Sequence, residues 1–231
     1  MENVVTHDGK PPGSHAPPML AAPIQNDKIS YASLLQESTI ISDFGQSYVA
    51  ACSPPSYEPG TTLSYQPPEA RFEGRASFEV DTWTLGCMIF EIRAGFSPFE
   101  SFMGSDIEVL KHTVETLGRL PDPWWGAFER CVLWFREDGE PMSKHDQDRA
   151  GVLLKAHRTS IRTKLLEIGK RDDPPFEEEG PMIEHSGARL PEEEVDLLAD
   201  LLQKMSKYNP KERICIHDVI RYSWLMLRGF H

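Results

Sequence analysis

No apolar run approaches the roughly 18 residues that a membrane-spanning helix needs, so nothing in this sequence is expected to cross a bilayer. The opening stretch "MENVVTHDGKPPGSHAPPML" has no uninterrupted apolar core, which argues against a secretory signal peptide. Positive charge is in deficit: 24 Lys and Arg face 36 Asp and Glu, a formal net charge of −12. Binding to nucleic acid usually needs a basic face, so that function class is disfavoured. A basic protein or peptide partner is compatible with the same balance. Cysteine is scarce. Cys52, Cys87, Cys131 and Cys215 stand far apart and form no C-x-x-C pair, so no zinc site is expected and free thiols are the simplest reading. The expected setting is intracellular, cytoplasmic or nuclear. The eight histidines do not cluster either.

What is present is a globular composition, 39% hydrophobic and 26% charged, in a chain long enough for one good core or two small ones. Residues 1–38 are rich in Pro, Gly and polar side chains and read as loop or disorder, with a short helical turn near "YASLLQ". Thr39–Ser42 is a short β-prone segment. From Gly45 to about Arg75 the chain is turn-rich.

Helical patterns follow. "FEVDTWTLGCMIFEIRAG" is apolar nearly all round, which predicts a buried helix over about 80–94 with Gly95 as its C-cap. "SDIEVLKHTVETLG" is amphipathic, with Ile107, Leu110, Val114 and Leu117 on one face, a capping-box pattern at Ser105 and Glu108, and Gly118 as its stop. "PEEEVDLLADLLQKM" begins with Pro191 and three glutamates and carries Val195, Leu198, Leu202 and Met205 as its stripe. A last helix is predicted from about Ile216 to Leu227, with Val219, Ile220 and Leu227 inward and Cys215 at its N-cap position. Between them lies a long mixed region, 119–190. Its aromatic cluster, including Trp124, Trp125, Trp134 and Phe135, is too much apolar surface to leave in water. Its acidic loop "RDDPPFEEEG" reads as solvated or disordered.

Four short signals carry chemistry only when taken together. Asp43-Phe44-Gly45 alone is a common turn after a strand. It is followed by Pro67-Pro68-Glu69 in "YQPPEARF", then by "DTWTLG" with Asp81, Trp83 and Gly86, and finally by "YNPKERI" with Arg213. In this order and spacing the series resembles the C-terminal lobe of a eukaryotic protein kinase over about 39–231, with an activation segment over 43–69. The long insert beginning "TLGRLPDPWW" is similar to that of the CMGC group, and the wording "PPEARF…DTWTLGCMIFEI" is similar to fungal Ser/Thr kinases of the SR-protein-kinase type. One departure is that Tyr65 is flanked by Ser64 and Gln66, where that group usually carries a basic residue.

The resemblance implies a mainly α fold and a role for each residue. Asp43 would hold the Mg²⁺ that bridges the phosphates of ATP, Gly45 would allow the sharp turn beside it, and Phe44 would pack inward. Thr61 or Thr62, with Tyr65, Gln66 and Pro67, would wall the protein-substrate site; the count from Gly60 to Glu69 leaves the choice of threonine open. Glu69 and Arg213 would form a buried ion pair. Asp81 would hydrogen-bond the catalytic loop, and Trp83 and Gly86 complete that scaffold motif.

Other parts of a kinase are missing from the sequence. No G-x-G-x-x-G loop, no V-A-I-K-like lysine and no H-R-D-x-x-x-x-N precede Asp43, so no catalytic residue is assigned. Three readings follow: a piece of a Ser/Thr kinase that is inactive as this chain, a degenerate kinase-derived binding module, or an unrelated helical interaction protein with chance motifs. The order of the four signals argues against the third.

Overall fold

The computed structural model describes residues 2–3, 19–20, 40–47, 60–74, 77–101, 105–170 and 189–227. The chain divides into two compact units, Met1–Ile41 with Asp173–His185, and Ser42–Asp172 with Ser186–His231. In the first unit β1 (Glu2–Asn3) pairs antiparallel with β2 (Met19–Leu20), Glu2 opposite Leu20 and Asn3 opposite Met19. The pair lies within the 1–38 segment read as loop or disorder. The turn near "YASLLQ" and the acidic loop lie outside the described residues.

The β segment expected before Asp43 does not form over its described part. Ile40–Ser42 is irregular, and Ile40 and Ile41 are 86% and 77% exposed. β-branched side chains favour a strand only when a neighbour completes the ladder and covers a face.

The second unit is helical. Its helices are α1 (Pro68–Glu73), α2 (Phe78–Ala94), α3 (Asp106–Leu117), α4 (Trp124–Ala127), α5 (Lys144–Arg149), α6 (Ile161–Glu167), α7 (Glu192–Met205), α8 (Ile216–Val219) and α9 (Ser223–Leu227). The expected caps are in place. Ser105 Oγ accepts from the Glu108 N–H at α3, and Gly95 closes α2 in the left-handed conformation.

α7 is the hub of the main core. Val195, Leu198, Leu201, Leu202 and Met205 are all at most 2% exposed and pack with α2, α6 and α9. α6 buries Ile161 and Leu165 and lies inside a region read as mixed, where its short stripe went unnoticed. The aromatic cluster forms a second core with Leu110, Val114 and Leu120, as its apolar area requires.

Two expectations fail in detail. The C-terminal helix is broken at Ile220–Tyr222 into α8 and α9. The break changes the phase: Val219 is buried and Trp224 joins it, while Ile220 and Leu227 are 57% and 54% exposed. The second concerns α2, which is not buried all round. Phe78, Asp81, Leu85, Met88 and Ile92 fall within about 80° of one another on the helix. Along this stripe Phe78, Met88 and Ile92 are 74%, 48% and 66% exposed, whereas Val80, Trp83, Cys87 and Phe90 on the other side are core.

Candidate functional site

The scaffold residues converge on α2. Pro67, Pro68 and Glu69 are buried where α1 begins. The Glu69 carboxylate receives the Arg213 guanidinium in a two-pronged pair, with Nη2 donating to Oε2 at 2.6 Å and Nη1 donating to Oε1. Arg213 Nη1 also donates to the Glu79 carbonyl at 2.9 Å, and Nε donates to the Lys207 carbonyl at 2.8 Å. Its face lies 5.0 Å from the centre of the Trp83 ring, which stacks in turn on Phe99. Burial is nearly complete, with side-chain exposures of 0% and 3%. A buried charge is tolerable when paired and hydrogen-bonded in this way.

Gly86 has a packing reason. A Cβ built there would meet Met205 Cβ at 3.1 Å, so the backbone of α2 approaches α7 where no side chain fits without displacement.

The Thr61–Pro67 segment is fastened to the same helix. Leu63–Tyr65 forms a 3-10 turn. The Tyr65 hydroxyl donates to Glu91, its carbonyl accepts from Thr84 Oγ1 at 3.3 Å, and Arg71 Nη2 donates to the Leu63 carbonyl at 2.9 Å. Burial lowers the pKa of Arg71, while Asp106 at 2.7 Å favours its charge. Thr61 is half-buried and Thr62 exposed; Gln66 is half-buried beside Pro67. Glu91, Arg71 and Asp106 were missed in the sequence because long-range side-chain pairing has no local signature.

Asp43 is built differently. It holds the left-handed conformation itself, at φ 64°, so the sharp turn belongs to Asp43 rather than to Gly45. A Cβ at Gly45 would meet Asp43 Oδ1 only at an ordinary contact distance of 3.6 Å, so neither space nor backbone conformation requires glycine there. Ser47 closes the turn through Oγ and N, both donating to the Phe44 carbonyl. Phe44 is 65% exposed, against the expectation that it packs inward. Asp81 is exposed, with its carboxyl pKa raised by partial desolvation, and it has no hydrogen-bond partner among the described residues.

The family profile described as "Protein kinase domain" matches residues 33–225. The chain belongs to the protein kinase family. Among curated relatives, a putative cyclin-dependent kinase F-2 of Oryza sativa subsp. japonica is 37% identical over 93 residues, 39% of this chain and 28% of its own length. Serine/threonine-protein kinase SRPK of Physarum polycephalum is 24% identical over 168 residues, 71% of this chain and 33% of its own. An L-type lectin-domain containing receptor kinase VIII.1 of Arabidopsis thaliana is 25% identical over 159 residues, 64% of this chain and 22% of its own. The chain thus spans a third or less of the curated relatives it matches. No helix among the described residues is long and apolar enough to cross a membrane.

Kinases of this family generally use ATP and Mg²⁺. A Mg²⁺ ion wants several oxygen ligands in near-octahedral order. Asp43 offers one carboxylate on an exposed turn, and the described residues hold no group of three or more His, Cys, Asp or Glu that could bind a metal. These residues do not compose a Mg·ATP site, and no step of phosphoryl transfer is assigned to them.

Proposed function

We propose that this chain is the helical lobe of a Ser/Thr protein kinase of the SR-protein-kinase type. In this reading the intact enzyme transfers a phosphoryl group from Mg·ATP to protein Ser or Thr, and the 231-residue chain alone is inactive. The Glu69–Arg213 pair carries the reading, because it joins the P-P-E and N-P-x-x-R-I motifs across 144 positions of sequence. The exposed Phe78, Met88 and Ile92 of α2, with Asp81 among them, support the rest. They form an apolar surface with one polar group free, suited to a loop of the H-R-D-x-x-x-x-N kind supplied by further chain. Asp43 is then the Mg²⁺ ligand of the assembled site, and Thr61 or Thr62 with Tyr65, Gln66 and Pro67 faces the protein substrate.

Coding sequence upstream of Met1 should contain that loop and, before it, a lysine-bearing strand. The longer chain should phosphorylate protein, and Asp43→Ala should abolish that activity. Without the loop as general base the loss is about 10²–10⁴ in rate, and positioning of the phosphates is lost as well, so the isolated chain should stay at background. ATP- and Mg²⁺-dependent phosphorylation by the purified chain would refute the inactivity. Upstream sequence without such a loop would favour a second reading, a kinase-derived docking module. The self-sufficient packing of α2, α6 and α7 beside an uncommitted Asp43 turn is what keeps that reading in play.

A further inference from the structure

A cleft of about 760 Å³ opens between the C-terminal end of α3, the 158–162 segment, α7 and the 206–212 segment, away from the Asp43 and Tyr65 segments. Its charge runs against that of the chain. Arg119, Arg158, Arg162 and Lys207 line it, with Glu212 as the one acidic lining residue. Two of these cations are already spent: Arg119 bonds Asp122 and Glu137, and Arg162 bonds Asp196 and Glu192. Glu212 accepts from Asn209 Nδ2 at 2.8 Å. Arg158 and Lys207 have no acidic partner among the described residues.

Arg158 is nonetheless fixed in place. Its Nη1 donates to the Val114 carbonyl at 3.2 Å, and both terminal nitrogens lie 3.5 Å from where a Cβ on Gly118 would stand. That is ordinary contact distance, so it is the backbone of Gly118, at φ +95°, rather than space for the guanidinium, that favours glycine here. Tyr208 holds the same corner by donating to the Gly118 carbonyl at 2.8 Å. A guanidinium has five N–H donors, and only one of these is used.

We propose that this cleft binds the phosphate of a phosphoserine or phosphothreonine peptide, with Arg158 and Lys207 as the recognising cations. Two uncommitted cations match a phosphate dianion better than a single carboxylate, and a planar fork suits its oxygens. The cleft is far larger than a phosphate. Leu117 and Pro121 give it apolar surface for the residues on either side of the modified one. A single basic cleft on a chain of net charge −12 does not make the continuous basic face that nucleic acid requires. Placement of this site beyond the substrate segment makes it a docking site for proteins already phosphorylated.

The test uses the full chain and two fluorescein-labelled degenerate peptide libraries, one with central phosphoserine and one with serine. Fluorescence anisotropy should show the phosphorylated library binding at least about tenfold more tightly, with the preference weakening as salt rises. Arg158→Ala with Lys207→Ala should remove the preference while leaving the melting temperature in place. Independently of any variant, phosphopeptide added to the isotopically labelled chain should shift the Gly118, Thr159 and Tyr208 amide resonances first. Equal binding of the two libraries, a preference that survives the double substitution, or shifts centred elsewhere would each overturn the site. Inorganic phosphate binding as tightly as the peptides would overturn the peptide as its ligand.

Discussion

The Glu69–Arg213 region and the Asp43 turn come from the same set of motifs, yet they are built in opposite ways. The first is buried, two-pronged and backed by Trp83 and two carbonyls. The second is exposed and tied only to its own neighbours. The difference teaches that motifs read together in sequence need not be built alike: the Glu69–Arg213 pair is completed by residues far apart in this chain, whereas the Asp43 turn is closed only by its immediate neighbours.

Substitution at the two places should give the widest contrast. Arg213→Ala leaves the Glu69 carboxylate buried and unpaired, at an expected cost of about 3–5 kcal/mol in urea unfolding. Asp43→Ala should change stability by no more than about 0.5 kcal/mol. Replacing both buried partners with apolar residues, Glu69→Leu with Arg213→Met, should recover much of the loss. Similar costs at positions 43 and 213 would erase the distinction.

Gly86→Val comes next. Its side chain would enter the 3.1 Å approach to Met205, so the α2–α7 packing should lose about 1–3 kcal/mol. A melting temperature equal to that of the unsubstituted chain would show that the two helices can separate freely.

Lys164 sharpens the comparison through pH. It donates to the Pro98 carbonyl at 2.5 Å, and burial lowers its pKa to about 8. Unfolded, it titrates near about 10.4. Between those values the unfolded chain holds more protons, so this group's contribution makes stability rise with pH. Below the folded pKa the full penalty of burying the charge remains. From pH 7.5 to 9.5 the unsubstituted chain should gain about 1–2 kcal/mol relative to Lys164→Met. An identical pH response in the two proteins would contradict the burial of a charged amine there.

The smallest effect is expected at Cys215. It occupies the N-cap of α8, and its thiol donates to Asp218 rather than accepting a backbone N–H. Cys215→Ser should stabilise the chain by about 0.5–1 kcal/mol. A fall in melting temperature would count against the cap.

Regular elements were legible wherever side-chain period and caps agreed. The stripe Val195, Leu198, Leu202 and Met205 is the buried face of α7, and Ser105 and Gly118 bound α3 as read. The C-terminal helix was read too long because a broken helix keeps an apolar pattern, and only the packing of Trp224 marks the new phase. Of the candidate site, the Glu69–Arg213 pair was legible through motif order. The inward Phe44 was not found, since an aromatic side chain buries only where something covers it. The basic cleft escaped notice because Arg158 and Lys207 are 49 positions apart and mean nothing until the fold brings the 158–162 and 206–212 segments to one cleft.

The span of the Glu69–Arg213 pair also sets an order of events during synthesis. Arg213 leaves the ribosome 144 residues after Glu69, which at about 5–20 residues per second means a delay of roughly 7–30 s. Throughout that interval α1 and α2 can form, but Glu69 cannot be buried without a stranded charge. A nascent chain that stops short of Arg213 is therefore held open at this seam, with Trp83 lacking the cation that lies over it. Arg213 thus acts as the closing condition for a seam whose acidic half was made long before.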